Sequence, residues 1–239
     1  NQMHAQVKEE RRSPVRKGMY VAAAAIALCL ASGPAFAYTA YVSNEKGNSM
    51  SIVDTSTMKV VKTVDVGQRP RGITISPDGK FVYLCASDDD QVQIIDTSTL
   101  QVVGSLPSGP DPELFVLSPD GKTLYVANEN DDLGTIIDME KRTAIGEVTV
   151  GTEPEGMTVS PDSKVLVCTA ETSSMVHFID TATRQITSNL LVGSRPRFSA
   201  YKTDGSELWV TSEIGGDLTI VDPASRQIKK IVKFEIPGL

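Results

Sequence analysis

From Tyr38 onward the chain alternates short apolar runs with clusters of turn residues, and the alternation repeats at a fixed period. The stretch after Arg69-Pro70 shows it most clearly. Arg71-Gly72-Ile73-Thr74-Ile75-Ser76 is followed by Phe81-Val82-Tyr83-Leu84-Cys85-Ala86, then Val92-Gln93-Ile94-Ile95-Asp96, then Leu100-Gln101-Val102-Val103-Gly104-Ser105-Leu106. Each run is rich in β-branched residues and bounded by Gly, Pro, Asp or Ser, the signature of strands joined by tight turns. The pattern predicts four strands, A to D. Pro77-Asp78-Gly79 makes the A–B turn, with proline pre-setting its own dihedral and glycine taking the positive one.

The turn aspartate recurs as Asp78, Asp120, Asp162 and Asp204, a step of 42 residues. Strand C closes on Asp54, Asp96, Asp138, Asp180 and Asp222, and the D–A corner gives Gly67…Pro70, Gly109…Pro112, Gly151…Pro154 and Gly193…Pro196. No helical periodicity competes with this in 38–239. A 42-residue unit of four short antiparallel strands predicts an all-β fold, a β-propeller. Its blades span 67–108, 109–150, 151–192 and 193–234, each four-stranded, with a first blade at 38–66 that lacks strand A and a further unit beginning at 235–239.

Tyr41-Val42-Ser43-Asn44 and Tyr125-Val126-Ala127-Asn128 resemble the tetrapeptide that names the YVTN family of bacterial β-propellers. The order of motifs and the unit length are most similar to the periplasmic propellers associated with pyrroloquinoline quinone (PQQ)-dependent catabolism. The resemblance implies a ring of seven blades, and so about two more periods after residue 239. It implies no particular reaction.

The N-terminal pattern differs. Arg11, Arg12, Arg16 and Lys17 precede the apolar run 21–30, and Ala35-Phe36-Ala37 follows it. Basic region, short apolar region and A-x-A site predict a signal peptide at 1–37, with a periplasmic or secreted product. The run is short for a membrane span, and Arg11-Arg12 leaves the twin-arginine route open beside the general one. Cleavage removes five cations and two anions, taking the net charge from −7 to −10. So acidic a domain is a poor partner for nucleic acid or anionic lipid. Cys85 and Cys168 lie two blades apart on strand B, and two buried free thiols are predicted.

The repeated turn aspartates read as structural, so candidate chemistry falls on the opposite rim, where the D–A corners break the repeat. They read Arg69-Pro70-Arg71, Asp111-Pro112-Glu113, Glu153-Pro154-Glu155 and Arg195-Pro196-Arg197. Strand A lines a propeller's channel, so Arg71, Glu113, Glu155 and Arg197 are expected at its mouth. They offer either a polarised funnel for a zwitterionic or anionic ligand, with a cation between Glu113 and Glu155, or solvated charges paired across blades. The B–C loops add Glu45, Asp88, Asp89, Asp90, Glu129, Asp131, Asp132, Glu171, Glu213 and Asp217 to this rim, against Lys46 alone. Such a face suits a basic protein partner, a small molecule, calcium, or simple solubility.

Catalytic residues are not evident. His177 is the single histidine after 37 and is expected on a strand surface, Trp209 reads as a packing residue, and no nucleophile has an evident base beside it. No cofactor is firmly implied, although Ca2+ and PQQ are compatible with the reading. The expected function is an exported non-catalytic binding or scaffold propeller, accessory to a PQQ-dependent alcohol dehydrogenase system. The alternative is a lactonase-type hydrolase, since a related group of propellers hydrolyses sugar lactones with acidic and basic groups at the channel mouth.

Overall fold

The computed structural model describes residues 38–235, and they form five antiparallel sheets. The signal peptide and cleavage site expected from sequence lie outside these residues. The first sheet has three strands, β1 (Thr39–Asn44), β2 (Ser49–Asp54) and β3 (Lys59–Asp65). The second is β4 (Pro70–Ile75), β5 (Phe81–Ala86), β6 (Gln91–Asp96) and β7 (Val102–Pro107). The third is β8 (Pro112–Leu117), β9 (Thr123–Asn128), β10 (Leu133–Asp138) and β11 (Thr143–Thr149). The fourth is β12 (Pro154–Val159), β13 (Val165–Ala170), β14 (Met175–Asp180) and β15 (Gln185–Leu191). The fifth is β16 (Pro196–Tyr201), β17 (Leu208–Ser212), β18 (Asp217–Asp222) and β19 (Gln227–Lys233). Strands pair in chain order within every sheet, and the sheets are the blades of a β-propeller.

The core lies between blades. Met50 and Ile52 of the first blade pack on Val82, Leu84 and Ile95 of the second, and Val92, Ile94 and Leu106 of the second pack on Leu124, Val126 and Ile137 of the third. The third and fourth share Tyr125, Ile136, Met157, Leu166 and Cys168, and the fourth and fifth share Val167, Phe178, Leu208 and Val221. One blade alone would leave both faces wet, so burial of apolar surface stabilises the stack rather than the unit. Cys85 and Cys168 are buried free thiols, as the register predicted.

The repeated aspartates are structural. In the A–B turn Ser76 Oγ and the Lys80 N–H both donate to Asp78 Oδ1, and the same pair of bonds closes on Asp120 and Asp162. These hydrogen bonds, the serine hydroxyl first, hold each carboxyl below its ordinary range.

Two expectations about single residues fail. His177 is buried, not exposed: its Nε2 accepts the Gly151 N–H at 3.1 Å while Nδ1 meets Asn189 Oδ1 at 2.8 Å, which places the ring proton on Nδ1. The strand C position it occupies anchors the D–A corner, as Gln93 Oε1 does for the Gly67 N–H. Trp209 is 41% exposed and donates to Glu207 rather than filling a core. The corner glycines leave no room for a side chain, since a Cβ on Gly151 would meet His177 Nε2 at 2.4 Å and Ala170 Cβ at 2.9 Å. Gly151→Ala is therefore expected to cost about 1–3 kcal/mol, the usual range for overpacking, measured as a lower urea midpoint at unchanged slope.

Candidate functional site

Four D–A corners bring the charged residues together. Arg69, Asp111, Glu153 and Arg195 each precede a proline, which bars the right-handed helical region, and each takes a left-handed φ of 49–60°. Such a conformation costs a side-chain-bearing residue about 1 kcal/mol or more. Two backbone bonds enforce it. The carbonyls of Arg69, Asp111, Glu153 and Arg195 accept the N–H of Ser87, Glu129, Glu171 and Glu213. The N–H groups of Arg69, Asp111 and Glu153 donate to Asn48, Asp90 and Asp132 of the preceding B–C loop at 3.0–3.1 Å. Asp90 and Asp132, read from sequence as free rim charges, are thus corner braces. Glu171 and Asp217 are also buried rather than free.

After each proline, strand A carries an irregularity in its pairing: Pro70 faces Ala86 but Ile73 faces Leu84, with matching slips in β8, β12 and β16. A bulge re-aims the residue it displaces. Arg71, Glu113, Glu155 and Arg197 sit in these bulges, and their side chains converge.

The result is a chain of ion pairs across blades. Arg69 reaches Asp111 at 2.5 Å and Glu113 at 2.8 Å. Arg71 Nη2 contacts Glu113 Oε2 and lies 3.5 Å from Glu155 Oε2, although Glu155 is 84 residues away. Arg197 forks between Glu155 at 2.6 Å and Glu171 at 2.9 Å, and its Nη1 also meets Glu213 at 2.9 Å. Arg195 Nε donates to Glu171 at 2.6 Å. Glu45 borders the network, 3.3 Å from Arg71. Of the candidate residues Glu153 alone stands apart, contacting Thr172 instead.

Three carboxyl groups are almost wholly covered, with side-chain exposures of 0% for Glu113, 2% for Glu155 and 1% for Glu171. Burial pushes Glu113 up to about 8 against the pull of Arg71 and Arg69. Burial, a hydrogen bond with Glu171 and the charge of Glu113 push Glu155 up to about 9. For Glu171, burial also pushes upward, but its hydrogen bonds to Glu155 and Arg195 and the charges of Arg197 and Arg195 prevail and lower it. Glu155, like Glu113, then keeps its proton to higher pH than a free glutamate, and it stands beside a Glu171 carboxylate able to accept that proton.

The Arg71 guanidinium stands between Glu113 and Glu155, the place read from sequence for a cation. Asp111, Glu113 and Glu129 do lie close enough to surround an ion. Arg69 fills that place, 2.5, 2.8 and 3.9 Å from the three carboxylates. The arrangement favours charges paired across blades over an open funnel. Glu171 was read from sequence only as one of the rim acids, yet Glu45, Glu129, Glu171 and Glu213 share one aligned position, the first residue of their B–C loops, where the second blade has Ser87.

The sequence matches the family described as "Lactonase, 7-bladed beta-propeller" over residues 23–99 and 39–145, together more than half of the chain. The chain belongs to that family. The matched span of this lactonase-family propeller includes Arg69, Arg71, Asp111 and Glu113, and ends before Glu155, Glu171, Arg195 and Arg197. No curated protein matches it. Among solved structures it is similar to a chain of "Kuenenia stuttgartiensis Hydrazine Synthase", at 27% identity and a TM-score of 0.74 over 84% of the present chain. It spans 64% of that chain's length.

Proposed function

We propose that this protein is an exported, non-catalytic binding module that presents its acid-rich rim to a basic protein partner, as an accessory of a PQQ-dependent alcohol dehydrogenase system. One observation carries the non-catalytic part of the reading. Glu113, Glu155 and Glu171 are all covered and all engaged by guanidinium groups, so none of these three is a free carboxylate placed to activate a water. The acids facing solvent on this rim include Glu45, Asp88 and Glu213, each about half exposed, with Asp89, Asp90 and Asp131 exposed beside them. The likeness to a chain of a hydrazine synthase agrees with use of this fold outside lactone hydrolysis.

Binding through such a rim is electrostatic and must weaken with salt. Titration calorimetry against a purified PQQ-dependent alcohol dehydrogenase is expected to show association that falls at least about tenfold as ionic strength rises to 0.15 M, where the screening length is about 8 Å. Salt-insensitive association, or none at low salt, contradicts the reading.

A second reading, a lactone hydrolase, draws on the family match and on Glu155, a neutral carboxyl flanked by Arg71 and Arg197. An acid beside fixed cations is the equipment for protonating a leaving alkoxide and holding an oxyanion. A pH-stat assay over a panel of sugar lactones separates the two readings. The binding module gives only the spontaneous rate, whereas the hydrolase gives turnover that Glu155→Gln reduces by about 10²-fold or more.

A further inference from the structure

We propose that the channel mouth is a proton-operated latch between the fourth and fifth blades, in which Glu155 and Glu171 hold one proton between them and its loss drives the two corners apart. The inference goes beyond the binding reading and stands whichever function is correct.

The geometry calls for that proton. Arg197 reaches across from β16 with its two terminal nitrogens on different carboxyl groups, one on Glu155 Oε1 and one on Glu171 Oε1. A single guanidinium so placed draws two carboxyl groups of the fourth blade together and supplies one positive charge to both. Glu171 Oε1, though near Arg197, accepts no hydrogen bond of acceptable direction among the described residues, and it has no access to water. A buried carboxylate oxygen without a donor is costly. A proton on Glu155 supplies the donor and removes one of the two like charges at once.

Every element packed against Glu155 brings a group to the balance. β4 brings Arg71, β8 brings Glu113, and β16 brings Arg197. β13 brings Cys168, whose thiol burial pushes well up and which stays uncharged, and the loop after β13 brings Glu171. Glu171 in turn faces Arg195. Around the pair, Asp111, Glu129, Glu45 and Glu213 draw on the same guanidiniums. The carboxylates of the mouth outnumber its four arginines, so the deficit falls on the groups with least water.

The upward displacement of Glu155 agrees with this placement. Relative to a free glutamate near 4.5, the folded protein keeps its proton to higher pH. The stabilisation from that proton is therefore full below about 4.5 and lost progressively as pH rises through about 9. On release the proton goes to solvent, Glu155 repels Glu171 and Glu113, and the fifth-blade corner at Arg195-Pro196-Arg197 loses its hold.

The test is carbon-13 NMR of protein labelled at the glutamate carboxyl, titrated from pH 4 to 10 with thermal unfolding followed in parallel. The wild type is expected to show a carboxyl titrating near pH 9 that vanishes in Glu155→Gln, and a melting temperature that falls from pH 5 to 9 more steeply than the variant's. Glu171→Gln, which removes the neighbouring negative charge and leaves only a neutral amide acceptor, is expected to bring the Glu155 midpoint down toward the ordinary range. If the assigned Glu155 carboxyl of the wild type titrates below about pH 5.5, within the usual spread for this side chain, the latch does not exist whatever midpoint Glu113 shows, and that readout needs no variant to fold. Equal pH profiles for the wild type and Glu155→Gln overturn it as well.

Discussion

Replacing Gly156 with alanine is expected to lower the stability of the protein by about 3 kcal/mol, the upper end for forcing a methyl into a close-packed site. A Cβ at this position would lie 2.6 Å from the Arg197 carbonyl oxygen and 2.8 Å from Thr169 Oγ1. The first obstacle is backbone of the neighbouring blade, and it belongs to the bulge that aims Arg197 at the mouth. Relief of the first clash requires β12 and β16 to separate, and relief of the second displaces the Thr169 hydroxyl that accepts the Gly156 N–H. Gly72 stands in the same relation to the Glu113 carbonyl, at 2.7 Å. At the equivalent positions of the third and fifth blades the chain carries Leu114 and Phe198. Urea unfolding of Gly156→Ala reads the effect, and a loss under about 1 kcal/mol would mean that the blades are not in contact here.

Arg197→Ala is expected to cost about 2–3 kcal/mol at pH 7. Breaking a buried ion pair typically costs 3–5 kcal/mol because the abandoned charge stays buried. Two features reduce the figure: the arginine is itself 28% exposed, and Glu155 can remain protonated. Glu171 then carries the penalty, with Arg195 as its remaining close cation. Lys164→Ala is the control. Its partner Asp162 is 3.9 Å away and both side chains are exposed, so no measurable change is expected.

The fold was legible because its information is local and repeated. Ser76-Pro77-Asp78-Gly79 and its copies encode a turn within a few residues, and the period of 42 multiplies the signal. The corner residues were legible for the opposite reason, since Arg71, Glu113, Glu155 and Arg197 depart from the repeat at an aligned position. What they do there was not legible. Arg71 meets Glu155 across 84 residues, and only the ring curvature and the bulge after each proline decide that they touch.

Burial was the harder quantity. Glu113 looks on paper like any rim acid, yet it is fully covered, and pattern alone gives no sign that two guanidiniums close over it. His177 misled for a related reason. It was read as one exposed residue of a strand, whereas both it and Gln93 at the aligned position of the second blade accept a corner N–H. Aligning the B–C loops as strictly as the turns would have found Glu171, the acid that completes the network.

The claim on which the rest depends is that the mouth is one coupled ion-pair network joining blades. A double-mutant cycle of Arg197→Gln and Glu171→Gln, with unfolding free energies for the wild type, both single variants and the double, tests it most directly. The network predicts a coupling energy of at least about 1 kcal/mol between these residues, which lie 2.9 Å apart in adjacent blades. Additivity within about 0.3–0.5 kcal/mol, the behaviour of independent sites, would contradict it.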